Sequence, residues 1–321
     1  MIRSVAITGA TGFIGRHVAA DLIARGITVT SIVRPRSPHP APLGTTAVTA
    51  PLEASALRQA FSGVDAVVHL AGVVAAVDTR TYIMVNTEGT RAAATAARDA
   101  GARLIHVSSL AAAGPAPVSA PHRETDPARP LTAYGVSKLE SERIVNDTEG
   151  LRSIILRPGV VYGPTDRAVF PLFEAAARGV FPIVGRRDAA YTFVYVDDVV
   201  RSVVAAVDKA DVAGVVFVGH PQPVTSRDLF DALQAGLGRR ARGLAIPMGV
   251  TYVAAVACEA VGRLTRKPLP LNPSRYAELA AVGFVCRVDR LRDELGVTPA
   301  TGLNEGIAKT AAWYRAQGWL R

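Results

Sequence analysis

Apolar, β-branched runs alternate with amphipathic stretches along the first half of the chain. SVAIT (4–8) reads as a strand and FIGRHVAADLIARG (13–26) as a helix. Further strands are predicted at ITVTSIV (27–33), TAVTA (46–50), DAVVHLA (65–71), RLIHVSS (103–109) and RSIILRP (152–158). Helices are predicted through LEASALRQAF (52–61), NTEGTRAAATAARDAG (86–101) and residues 133–147. The strand runs are apolar almost without interruption, as burial on both faces demands. Strand–helix alternation with such strands predicts a parallel, doubly wound sheet. After about residue 163 the regularity decays. FPLFEAAARG (170–179) predicts a helix, FVYVDDVVRSVVAAVD (193–208) a helix with a strand-like lead, and VAGVVFVG (212–219) a returning strand. Pro-rich connections, an apolar helix near 250 and a C-terminal helix ending AAWYRAQGWL follow. This pattern divides the chain into a core over 1–163, rejoined by 188–220, and a smaller cap from 164–187 and 221–321.

The junction of the first strand and first helix carries the first chemistry. In TGATGFIG (8–15), Gly9, Gly12 and Gly15 are spaced three apart. A tight strand-to-helix turn favours residues without Cβ. The helix start then presents unpaired N–H groups and a positive dipole end to an anion such as a pyrophosphate. At the first such junction of an alternating pattern, this is the signature of a dinucleotide site. The end of the second strand selects the dinucleotide. An acidic residue there would bond the adenosine ribose hydroxyls of NAD, but this chain has IVRPRS. Arg34 and Arg36 suit a ribose 2′-phosphate, so NADP is expected in preference to NAD.

Composition narrows the partners. The 321 residues are 49% hydrophobic, 20% charged and 6% aromatic, enough apolar content for a large core and rich in small side chains. The formal charge is +9, but the 36 Lys and Arg are scattered and form no aromatic-interleaved stripe, so nucleic acid is not expected. Cys258 and Cys286 have no metal-like spacing, nor do the six histidines. A reducing, cytoplasmic setting without disulfides follows. The N-terminal MIRSVAITGATG enters a strand at once, which predicts no export signal. The stretch LAIPMGVTYVAAVACEAVGRL (244–264) is long and apolar, but Pro247, Gly249 and Glu259 interrupt it. It reads as a buried or partly exposed helix in preference to an interfacial one, with membrane contact the less favoured reading.

With these motifs in hand, the chain resembles the extended short-chain dehydrogenase/reductase family. The matches run in the family's order through TGATGFIG (8–15), DAVVHLAG (65–72), VNTEGT (85–90), HVSSLAAAG (106–114), AYGVSK (133–138), LRPGVVYGP (156–164), YVDDVV (195–200) and LGVTP (295–299). The resemblance implies a Rossmann-type α/β fold with a substrate-binding cap. It implies that Gly9, Thr11, Gly12, Phe13, Ile14 and Gly15 form the pyrophosphate turn. Leu70, Ala71 and Gly72 would lie near the ribose and diphosphate, and Pro158, Val160 and Val161 beside the nicotinamide carboxamide. Ser109, Tyr134 and Lys138 match the catalytic residues, with Ser108 as the alternative serine. One departure is Pro51-Leu52, where the family often has Asp-Leu; Leu52 can still pack on adenine. In the family, helices near 90 and 140 often pair into a homodimer.

The residue types suit that role. A phenol titrates near 10, and lowering it by about 3 units needs roughly 4 kcal/mol, within reach of a close ammonium and a positive nicotinamide. Spacing i, i+4 puts Lys138 on the same helical face as Tyr134. Asn86 reads as a helix- or water-ordering residue or as a structural one, Asp197 and Asp198 as a helix cap or fold-closing pair, and His69 and His106 as packing or backbone-bonded residues.

Two enzymatic readings compete. Epimerases and dehydratases of nucleotide sugars commonly carry Asn where PGVVYGP has Val160, and dehydratases replace the serine by Thr with adjacent acids that SSLAA lacks. The C-terminal third, IPMGVTYVAAVACEAVGRLTRKPLPLNPSRYAEL and FVCRVDRLRDELGVTP, resembles the 3β-hydroxysteroid dehydrogenase and dihydroflavonol reductase branch. That implies an NAD(P)-dependent oxidoreductase acting on an apolar secondary alcohol or ketone. A cofactor-keeping sensor or assembly subunit is a third reading, which the retained Tyr134 and Lys138 oppose.

Overall fold

The computed structural model describes residues 2–320 apart from Arg187, Pro268 and Pro270. Seven parallel strands form its central sheet: β1 (Ser4–Thr8), β2 (Thr28–Val33), β3 (Thr46–Thr49), β4 (Ala66–His69), β5 (Arg103–Val107), β6 (Ser153–Pro158) and the returning strand Gly214–Val218. Across the sheet they run returning strand, β6, β5, β4, β1, β2, β3. β4 and β5 are buried at every position, and β1 at all but its first, which accounts for their uninterrupted apolar sequence. The strand direction of winding reverses between β1 and β4, so the crevice for a ligand lies at their carboxyl ends.

Two apolar layers cover the sheet. One packs helices Phe13–Ala24 and Val196–Asp208 on one face, through Val18, Leu22, Val199 and Val203. The other packs the alanine-rich helix Gly89–Asp99, with Leu57, Phe61 and Val145, on the opposite face. Small side chains let that helix approach closely: Gly89 sits where a Cβ would come within 2.9 Å of Leu52. A third cluster gathers Phe173, Phe181, Leu233, Ile307 and Tyr314 from the later segments. Its aromatic centre stacks Tyr314 on Trp319, with ring centroids 5.4 Å apart.

Most predicted elements stand within two or three residues of their expected limits, and the helix Ala133–Asp147 matches its own. Two features were not foreseen. Residues Ile83–Glu88 wind as a π-helix before the α-helix begins at Gly89, and short strands pair Val160–Tyr162 with Phe193–Tyr195. The apolar stretch near 250 becomes the helix Met248–Thr265, of which only Thr251, Ala255 and Gly262 are buried. It is the partly exposed alternative, with an aliphatic face outward; two prolines of the following RKPLPLN lie outside the described residues. Asp198 closes the fold without capping its helix: fully buried, it accepts from the Ala300 and Thr301 N–H groups at 3.0 and 3.2 Å.

Candidate active site

The glycine turn is shaped by close backbone approach. Gly9 has φ +74, and a Cβ there would meet the backbone of Leu70 and Ala71 at 2.7 Å. The turn after β1 therefore touches the loop after β4, and both stand at the reversal of the sheet. A Cβ at Gly15 would lie 2.2 Å from the Gly9 carbonyl oxygen, so the first helix starts hard against the turn. No side chain caps that helix, and its first N–H groups have no intrahelical partners. Gly12, at the cap, is exposed. This cradle fits the diphosphate of a dinucleotide: donors without acceptors, a positive dipole end, and no side chain to block approach.

The other candidates gather along the same edge. Arg34 and Arg36 follow β2, are exposed, and hold no ion pair among the described residues. Leu52 follows β3 and packs toward Gly89. Pro158 ends β6, while Val160 and Val161 follow it, half-buried.

The third group comes from β5 and the helix Ala133–Asp147. Thr132 caps that helix, accepting from the Gly135 N–H at 3.1 Å. Lys138 is buried and its Nζ donates to the Val107 carbonyl at 2.8 Å, the last residue of β5. Desolvation lowers its ammonium from 10.5 to about 8, against the pull of the Glu142 carboxylate. Ser109 caps the short turn Leu110–Ala112 and accepts from the Ala111 N–H at 3.2 Å.

The two adjacent serines have different partners. Ser108 is buried and donates to Glu142. Glu142 in turn holds the buried Arg157 guanidinium through two nitrogens, at 2.5 and 2.9 Å. Ser109 instead lies near the Tyr134 phenol, where its hydroxyl favours the ionised form. The phenol itself departs from the sequence expectation. It is raised to about 12, first by burial, with the Glu278 carboxylate and Tyr82 adding to the rise and Ser109 opposing it. Depression of this phenol is therefore not a property of the chain alone, because burial and the Glu278 carboxylate outweigh the Ser109 hydroxyl.

Several residues of this site were not read from the sequence. Gly135 is one: a Cβ there would lie 2.5 Å from the Ala111 carbonyl oxygen. The helix bearing Tyr134 thus rests at backbone distance on the turn bearing Ser109. The signal was present, since glycine in a helix costs about 1 kcal/mol against alanine and needs a reason. Tyr82, whose ring lies 6.2 Å from that of Tyr134, gave no signal at all. Asn86 proves fully engaged: it accepts from Val73 N–H at 2.8 Å and donates to Val73 O at 3.0 Å and Ser137 Oγ at 2.9 Å. It ties the loop after β4 to the helix of Tyr134. His69 is bonded to the Thr8 and Thr90 hydroxyls, at 2.7 and 3.1 Å, and not to backbone. His106 stacks on it with no polar partner among the described residues, and burial holds both rings neutral.

A cleft of about 420 Å³ opens beside this group. One wall is Val77, Tyr82 and Ala133, the neighbour of Tyr134; the other is Cys258, Gly262 and Leu271. Cys258 and Gly262 of the helix Met248–Thr265 thus face Tyr82 and Ala133 across the cleft. A second cleft, about 450 Å³ and lined by Tyr162, Gln222 and Glu305, lies among the later segments. Among the described residues, no cluster of His, Cys, Asp or Glu is arranged to hold a metal.

A ceramide reductase of Caulobacter vibrioides is 32% identical over 322 residues, covering 98% of this chain and 96% of its own. Sterol demethylase protein B of Methylococcus capsulatus is 29% identical over 336 residues, covering 98% and 99%. The structure of MoeE5 with UDP-glucose and NAD superposes with a TM-score of 0.79 at 25% identity, covering 98% of this chain and 99% of that one. The profile of the NAD dependent epimerase/dehydratase family matches residues 5–219, from β1 to the end of the returning strand. The chain belongs to that family, the extended short-chain dehydrogenases/reductases, and is an NAD(P)-dependent enzyme of that type.

Proposed function

We infer that the protein interconverts a secondary alcohol and a ketone on a fairly apolar small molecule, with NADP as the preferred dinucleotide. The observation that carries this reading is the meeting of Ser109, Tyr134 and Lys138 at the carboxyl end of β5, beside the glycine turn. In it, residues Gly9 to Gly15 hold the diphosphate, Arg34 and Arg36 a ribose phosphate, and Leu52 the adenine. Leu70–Gly72 and Lys138 border the riboses, and Pro158, Val160 and Val161 the carboxamide. When bound, the nicotinamide supplies or accepts the hydride.

The chain's own residues handle the proton. Tyr134, raised to about 12, is protonated at neutral pH and ready to donate to a carbonyl oxygen. The Ser109 hydroxyl donates to the same oxygen and supports its developing charge. Lys138 stands one helical turn away, where its cation favours the phenolate left behind. In the reverse direction the same groups take the proton from an alcohol.

The cap over 164–187 and 221–321 is the substrate-binding part of this reading. Val77, Ala133, Leu269 and Leu271 give the cleft apolar walls, and Glu259 and Arg263 enter it as a pair. The names of the ceramide and sterol relatives support an apolar substrate. The likeness to MoeE5, solved with UDP-glucose and NAD, favours a second reading as a nucleotide-sugar enzyme. A panel of long-chain ketones, sterols and nucleotide sugars, followed by NAD(P)H absorbance, separates the two. Oxidation of NADPH by apolar ketones, lost in Tyr134→Phe with dinucleotide binding retained, is the expected result. Redox-neutral conversion of a nucleotide sugar would replace this reading by the second.

A further inference from the structure

The helix Met248–Thr265 turns outward a face that helices of globular proteins bury. At 3.6 residues per turn, buried Thr251, Ala255 and Gly262 mark its inner side. Opposite them stand Val250, Val253, Val256, Ala260, Val261 and Leu264, with no polar side chain among them. Val253 is 68% exposed and Leu264 86%. The helix's two charged residues, Glu259 and Arg263, pair with each other at 2.5 Å beside the cleft. The apolar face therefore runs the length of the helix, with Arg263 at its edge.

Charge says what covers it. Between 239 and 267 the chain carries six cations, Arg239, Arg240, Arg242, Arg263, Arg266 and Lys267, against the single carboxylate of Glu259. All six are exposed, three just before the helix and three at or after its last turn. A second copy of the chain is a poor occupant, because both ends of the helix are cationic. Either direction of two-fold pairing along it would set cation against cation. An anionic lipid surface matches both features at once: acyl chains for the aliphatic face and headgroups for the flanking cations. No described helix is long and apolar enough to cross a membrane, so the contact is one of lying on the bilayer.

We propose that the helix Met248–Thr265 and its cationic flanks are a docking surface for anionic bilayers. The aliphatic face enters the headgroup–acyl boundary, and Arg239, Arg240, Arg242, Arg266 and Lys267 stay at the phosphates. The docking itself stands whatever substrate the cleft takes.

Sedimentation of the full chain with sucrose-loaded vesicles tests this. The protein should pellet with phosphatidylcholine–phosphatidylglycerol vesicles at least about tenfold more tightly than with phosphatidylcholine alone, and release in about 0.5 M salt. The double variant Val253→Asp/Leu264→Asp should lose this binding, and Arg266→Glu/Lys267→Glu should weaken it by about tenfold or more. Both should keep their affinity for NADPH, measured by fluorescence, which shows that they are folded. Wild-type protein left in the supernatant at every lipid concentration would overturn the proposal. So would equal binding by the Asp variant, or light scattering that shows a dimer which the Asp variant dissociates.

Discussion

Replacing Lys138 by Met should stabilise the folded chain while abolishing turnover, and the stability gain should shrink as pH rises. Burial holds the Lys138 ammonium at about 8 instead of 10.5. At about 1.36 kcal/mol per unit, the folded state near pH 7 carries a penalty of about 3 kcal/mol for keeping it charged. Below the folded pKa both states bind the proton and the penalty is constant. Between about 8 and 10.5 the unfolded chain binds more protons at this site, so wild-type stability rises with pH there. By about pH 9.5 the remaining penalty is about 1.5 kcal/mol. Met also removes the donor to the Val107 carbonyl, a loss of about 1 kcal/mol at any pH. The variant should therefore be more stable by about 2 kcal/mol near pH 7 and nearly equal to wild type near 9.5. His69, driven down to about 3, and Tyr134, up to about 12, lie outside this window and do not blur it. Urea melts of both proteins at the two pH values measure the difference. A difference that does not change with pH would show that Lys138 is not a desolvated cation in the free enzyme, and the account of its charge would fail.

Gly135→Ala should lower turnover by about tenfold or more, because the added methyl forces the Tyr134 helix off the Ser109 turn, while dinucleotide affinity stays within about twofold; steady-state kinetics and fluorescence titration read the two effects. Arg34→Asp should weaken NADP(H) by at least about tenfold and leave NAD(H) little changed, by removing a cation and adding a carboxylate where a 2′-phosphate would lie; equal loss for both dinucleotides would remove Arg34 from that role. Glu142→Gln should destabilise the chain by about 3–5 kcal/mol in urea melts, since it leaves the Arg157 guanidinium buried without its carboxylate; much of that loss should return in Glu142→Gln/Arg157→Met.

The sheet was legible because its strands are buried on both faces, so their apolar runs have no polar interruptions to confuse the period. The glycine turn was legible because only a Cβ-free residue tolerates the approach of Leu70 and Ala71 to Gly9. What escaped depends on partners far apart in sequence. Motif spacing selects Ser109 over Ser108 without giving the reason; in the fold Glu142, 34 residues from Ser108, takes that hydroxyl and leaves Ser109 near the phenol. The π-helix at Ile83–Glu88 has the composition of an ordinary helix start. Its wider turn brings Asn86 between Val73 and Ser137, contacts that no local propensity encodes. The helix near 250 was harder still. Its inner face is Thr, Ala and Gly and its outer face Val and Leu, so hydrophobicity points the wrong way about which side is buried. Small residues are inside because the helix lies close against the cap segment that follows it: a Cβ at Gly262 would come within 3.0 Å of the Lys267 carbonyl. An aliphatic face left over by such packing is a cost in water, and a chain that keeps it along the whole helix, with cations at both ends, is shaped by something outside its own core.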